Sequence, residues 1–112
     1  MSQSDLFREI TQTYQKFGWK LRGVLLDDEA ARELVESKRL IPENVSVEKR
    51  DVNALWFSRD SGGRETWELR LLSASPFALL ETFEPSIPES EREKRLTRMA
   101  EKLQMNRPKL KV

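Results

Sequence analysis

Apolar residues along this chain change their period several times, and each change marks an element. Phe7, Ile10, Tyr14 and Phe17 recur at steps of three, four and three, with Leu6 beside them, which is one stripe of an α-helix over residues 3–17. Ser2, three residues before Asp5, suits a capping arrangement, and Gly18 stands where a helix-ending glycine takes a left-handed conformation. From Trp19 the period falls to two. Trp19, Leu21 and Leu25 alternate with Lys20 and Arg22, predicting a half-buried strand over 19–26. Asp27 or Asp28 then caps a short helix with Ala30, Ala31, Leu34 and Val35 on its apolar face, and its acidic start suits the helix dipole.

Pro42 and Asn44 mark a loop, and Val45 to Val47 lead loosely into the next strand. Over 52–58, Leu55 and Phe57 alternate against Ala54 and Trp56. Asp60-Ser61-Gly62-Gly63 is a turn signal, so a hairpin returns through 65–72, where Trp67, Leu69 and Leu71 alternate with Thr66, Glu68 and Arg70. Pro76 opens a further strand carrying Phe77, Leu79 and Phe83 on one side, broken by Glu81. Ser86, Pro88 and Glu89 then begin a helix over 88–105 with Leu96, Met99 and Leu103 as its stripe. Its first two turns, Glu89 to Arg95, are almost entirely charged and are expected to face solvent or to pack through aliphatic stems.

These elements predict an α+β fold: an antiparallel sheet of about four strands, a short helix after the first strand, and the N- and C-terminal helices packed on one face. Trp19, Leu21, Leu25, Leu55, Phe57, Trp67, Leu69, Leu71, Phe77 and Leu79 would form the inner face. Lys20, Arg22, Trp56, Thr66, Glu68, Arg70 and Leu80 would form the outer one. Residues 1–106 read as a single domain and 107–112 as a frayed basic tail, which fits a chain of 112 residues.

Composition narrows the function more than the fold. The chain has no histidine and no cysteine, the side chains that supply most bases working near neutral pH, most thiol nucleophiles and many transition-metal ligands. A disulfide framework is excluded with them. No apolar run reaches the ~20 residues of a membrane span, and the first ten residues lack the basic and apolar regions of a secretory signal. The expectation is a cytoplasmic protein with no membrane partner. Net charge is +1, but it is unevenly placed. Residues 1–90 carry 12 Lys/Arg against 16 Asp/Glu, a net of −4, whereas residues 91–112 carry 8 against 3, a net of +5.

Few constellations suggest chemistry. Asp27-Asp28-Glu29 offers oxygen ligands to a hard cation, but capping and the helix dipole account for the same residues. Gly62-Gly63 between Arg59 and Arg64 offers phosphate contacts, but a hairpin turn explains the glycines and no phosphate-binding fingerprint surrounds them. Ser37-Lys38 are adjacent and so point apart on a helix, and a carboxylate pair such as Glu68 with Glu81 falls on opposite faces. The sequence therefore implies no catalytic residue, no metal and no cofactor.

What remains is surface. Arg22, Trp56 and Arg70 are placed together on the outer face, and tryptophan with arginine is the composition of protein–protein hot spots. The competing reading puts Trp56 in the core, through a register slip or under the short helix. The expected function is a non-enzymatic protein-interaction or self-associating module, its partner another protein or a second copy. The alternative is a single-stranded nucleic-acid or acidic-ligand binder using the same residues and the basic end. Nucleic acid ranks second because residues 1–90 are net negative.

Overall fold

A computed structural model describes residues 2–106. Its elements are α1 (Gln3–Lys16), β1 (Lys20–Leu26), α2 (Asp28–Ala31) running on into a π-helical segment (Arg32–Ser37), β2 (Ser46–Lys49), β3 (Ala54–Ser61), β4 (Arg64–Leu71), β5 (Ala78–Phe83) and α3 (Glu89–Asn106). The basic tail expected at 107–112 lies outside the described residues. Local chemistry sets the ends of the first elements. Ser2 Oγ accepts the Asp5 N–H at 3.1 Å and the Asp5 carboxylate accepts the Ser2 N–H, so the capping box forms. Gly18, at φ +85°, follows the helix end. Asp27 Oδ1 caps α2 by accepting the Ala30 N–H at 2.8 Å.

The sheet has five strands in the order β2-β1-β3-β4-β5 and is mixed, because β2 runs parallel to β1 while every other pair is antiparallel. The expected antiparallel sheet of about four strands is corrected here. The segment expected as a loose lead-in is a strand, joined to β1 through the helical crossover that a parallel pair requires. All four β2 residues are exposed, which is why hydrophobic alternation signals it so weakly.

The helices are corrected as well: α1 and α3 pack on opposite faces of the sheet. Phe7 and Ile10 of α1, with Ala30 and Leu34, meet Val24, Leu26, Leu55 and Phe57. Met99, Ala100 and Leu103 of α3 meet Leu25, Ala54 and Leu69 on the other side. The register explains the split. Ser61 pairs with Arg64 across a two-residue turn, and the ladder continues Phe57↔Glu68, Trp56↔Leu69 and Leu55↔Arg70. Directly opposed residues share a face. Leu55 and Phe57 therefore cannot lie with Trp67, Leu69 and Leu71, and each face carries its own apolar set.

In β1 the alternation breaks once. Leu21 pairs with Phe57 and Gly23 with Trp56, so Arg22 and Gly23 together oppose one residue in a β-bulge. Leu21 and Val24 consequently reach the α1 side, while Leu25 crosses to the α3 side. Gly23 lets β2 approach closely, and a Cβ there would require the Ser46 hydroxyl to turn aside.

The turn that fixes this register depends on two residues with positive φ, Gly62 at +58° and Gly63 at +81°. Gly63→Ala is expected to destabilise the fold by about 1–2 kcal/mol, read as a lower urea midpoint at unchanged slope. Gly62→Asn should cost far less, because asparagine tolerates the left-handed region. Equal midpoints for wild type and Gly63→Ala would mean that the hairpin does not rely on this turn.

Candidate functional site

Each face of the sheet is only half covered, and the site forms at one of the boundaries. Helix α3 lies over β4 and β5 and reaches Leu25 of β1 and Ala54 of β3 with its C-terminal half, leaving β2 and the part of β1 around Arg22 and Gly23 open on that side. The gap beside the helix is a groove of about 240 Å³. Arg22 and Trp56 line its floor, Glu48 and Arg50 come from the β2 side, and Glu93 comes from α3.

Aromatic stacking orders the floor. Trp67 is buried beneath α3, with its indole N–H donating to Glu65 Oε1 at 2.5 Å. Trp56 is half-buried and meets Trp67 edge-on, ring centroids 5.9 Å apart at 77°. The Arg22 guanidinium lies over the Trp67 ring at 5.2 Å, a cation–π contact, and Nη1 donates weakly to Ser58 Oγ at 3.4 Å. Among the described residues no carboxylate forms an ion pair with Arg22. Arg50, by contrast, is paired with Glu48 and also donates to Gln104 Oε1 at 3.4 Å. Glu93 is exposed at the rim.

Of the three residues expected to share a face, the structure brings Arg22 and Trp56 together and sends Arg70 to the other side. Arg70 opposes Leu55, on the α1 face, where Nη1 donates to the carbonyls of Leu71 and Ser73. Nor is Trp56 covered by the short helix, which packs on the far face. Trp67, Arg50, Glu48 and Glu93 are part of the groove that sequence reasoning did not assemble. A signal for Trp67 exists: a two-residue turn makes Trp56 and Trp67 neighbours on one face. Glu93 has no such signal, because its place depends on how α3 docks.

The remaining candidates have structural partners. Asp27 is a helix cap that also bonds Asn53 through Oδ2 at 3.1 Å, and Asp28 pairs with Lys49 at 3.1 Å. Arg59 stacks on Trp19 at 4.6 Å and donates to the Phe17 carbonyl, while Arg64 pairs with Glu84 at 3.3 Å. Among the described residues no cluster of three or more acidic side chains is arranged to hold a metal ion. No helix of the described residues is long and apolar enough to cross a membrane. What the fold and site define is a class: an α+β domain whose mixed sheet carries helices on both faces and an arginine–tryptophan groove between them. Comparison with protein-family models, curated proteins and solved structures finds no match for this chain.

On the α1 face, Arg70 borders a second cluster. Tyr14 stacks on Phe57 with centroids 4.1 Å apart, and its hydroxyl donates to Glu68. Burial and the neighbouring Glu68 carboxylate push the Tyr14 hydroxyl well above its ordinary range, with Arg70 opposing them. The neutral phenol is thus favoured by folding. Once pH passes the ordinary tyrosine value near 10, the unfolded chain releases its proton while the folded one keeps it, so stability falls. Tyr14 is the chain's one tyrosine, so tyrosinate absorbance reads this group alone. Ionisation of the folded protein is expected above the ordinary tyrosine range and closer to it in Glu68→Gln. Tyr14→Phe should lose less stability than wild type above pH ~10; identical alkaline profiles would show that the pair carries no linkage.

Proposed function

We propose that this chain is a non-catalytic interaction module that pairs with a second copy of itself through the groove. The observation that carries the reading is the groove's makeup: half-buried Trp56 and cation-bearing Trp67 beside two arginines, Arg22 and Arg50, and two glutamates, Glu48 and Glu93. Tryptophan and arginine dominate protein–protein hot spots. A two-fold interface must be self-complementary, and a patch with equal numbers of opposite charges supplies each copy with a counter-charge for the other. Arg50 is already satisfied by Glu48, whereas no ion pair joins Arg22 or Glu93 to another described residue. Across the two-fold axis, Arg22 of each copy would meet Glu93 of the other. A cytoplasmic setting belongs to the same reading, supported by a chain without cysteine.

The nucleic-acid alternative is weaker for an electrostatic reason. Phosphate backbones are held by an excess of positive charge, and this groove has none. Sedimentation at low and high salt tests the proposal. A dimer is expected that weakens as salt screens the charge pairs. Arg22→Glu and Glu93→Arg should each raise the dimer Kd by about tenfold or more, the double variant should restore it, and Trp56→Ala should raise it by about thirtyfold. A monomer at both salt concentrations, or a well-folded double variant without recovery, would sink the proposal.

A further inference from the structure

Strand β5 ends the sheet, and its outer edge differs from that of β2. The Leu71 N–H donates to the Phe77 carbonyl at 2.9 Å, and the register continues through Leu69↔Leu79 and Trp67↔Glu81. Hydrogen-bonded pairs alternate along an antiparallel ladder. Phe77, Leu79 and Glu81 therefore turn their backbone groups toward β4, while Ala78, Leu80 and Thr82 turn theirs outward. At the opposite edge, β2 is four residues long and carries Glu48 and Lys49, the short charged form that discourages pairing. Strand β5 is six residues long and has one charge, Glu81, which is held toward α3 by Arg95 at 3.4 Å. Its Leu80 side chain is 59% exposed.

A basic flank runs along this edge. Arg95, Arg98 and Lys102 succeed one another on α3 at steps of three and four, and with Leu79, Leu80 and Glu81 they enclose a hollow of about 190 Å³. The helix runs antiparallel to β5, since Arg92 bonds Glu65, which pairs with Phe83, and Arg95 then bonds Glu81. Four helical residues, from Arg98 to Lys102, advance about 6 Å. Two strand residues advance about 6.7 Å. These two cations are thus spaced close to alternate residues of a strand laid beside β5. Two-fold pairing of β5 with a second copy would set both basic flanks together, so like charge disfavours that occupant.

We propose that the β5 edge accepts an extended acidic segment of another protein as a sixth strand. Its carboxylates, at alternate positions, face Arg98 and Lys102. Its intervening apolar side chains lie over Leu80 on the opposite face. This site is separate from the groove and does not depend on self-association.

The probe is a synthetic peptide of about eight residues alternating Glu and Val, compared with a peptide of the same composition in which the Glu residues are grouped. Titration calorimetry and amide exchange by NMR supply the readouts. The alternating peptide is expected to bind about tenfold or more tightly than the grouped one and to slow exchange at the Ala78, Leu80 and Thr82 amides. Arg98→Glu with Lys102→Glu should weaken it by about tenfold or more. Leu80→Pro, which removes an outward N–H that the sheet does not use, should abolish binding. Arg22→Glu should leave peptide binding unchanged, separating this site from the groove. Equal binding of the two peptides, unchanged exchange along β5, or an oligothymidylate that binds the flank more tightly than the alternating peptide would each overturn the proposal. Should Leu80→Pro fail to fold, the exchange data and the charge-reversed variant still decide it.

Discussion

The phase of the β3–β4 hairpin governs how both faces of this sheet are built. With Ser61 facing Arg64 across two glycines, an odd-numbered residue of β3 always opposes an even-numbered residue of β4. Leu55 and Phe57 thereby share a face with Glu68 and Arg70, while Trp56 and Ser58 share the other with Trp67 and Leu69. Leu55, Phe57 and Leu69 are all fully buried. Burial of such side chains is worth about 1.5–3 kcal/mol each, so a sheet phased this way needs cover on both sides. Helix α1 with α2 supplies one cover and α3 the other. The bulge at Arg22–Gly23 completes the scheme by re-phasing β1, which sets Val24 and Leu26 on the α1 side and Leu25 on the α3 side, all three buried because both faces are covered there.

Three helical elements cannot cover two faces of a five-stranded sheet entirely, and the position of each helix decides which parts stay bare. On the α3 face the bare region is β2 and the start of β1 around Arg22 and Gly23, bordered by Trp56 of β3. On the α1 face it is the β4–β5 strip, where Leu80 and Thr82 are exposed beside half-buried Glu68 and Arg70. Arg22 falls on the α3 side by the regular alternation from Lys20 and Leu21, and the bulge adds Gly23 beside it on that side. The device that re-phases β1 therefore also leaves a residue without a side chain in the groove wall.

Element positions were legible along the chain because capping residues, helical stripes and turn glycines are local signals. Facial assignment was not. Leu55, Phe57, Trp67, Leu69 and Leu71 look like one apolar set when each strand is taken alone, and only the odd phase of a two-residue turn separates them. The run Ala54-Leu55-Trp56-Phe57 already hinted at a central strand buried on both sides. Strand β2 escaped for the opposite reason, having no buried face to alternate. In the groove, the placing of Arg22 with Trp56 is legible because the alternation of Lys20, Leu21 and Arg22 runs regularly up to the bulge. Arg70 was misplaced by the same facial error, and Glu93 required knowledge of helix docking that no local pattern holds.

Helix α3 shows how charge acquires meaning through docking. In sequence its opening turns read as facing solvent or packing through aliphatic stems, whereas Arg92 reaches Glu65 at 2.9 Å with both side chains mostly buried, and Arg95 reaches Glu81. These pairs anchor the charged half of the helix to β4 and β5, while Met99 and Leu103 anchor the apolar half. Held in that orientation, the helix presents different chemistry on its two flanks. Glu93, Thr97 and Ala100 face the groove, whereas Arg95, Arg98 and Lys102 face β5. A net charge of +1 conceals this division, and so does the excess of positive charge toward the C-terminal end. The distinction lies around the helix rather than along it. One flank completes the charge-balanced patch proposed to pair with a like copy, and the other sets Arg98 and Lys102 beside the outward backbone of β5, where an acidic strand is proposed to dock.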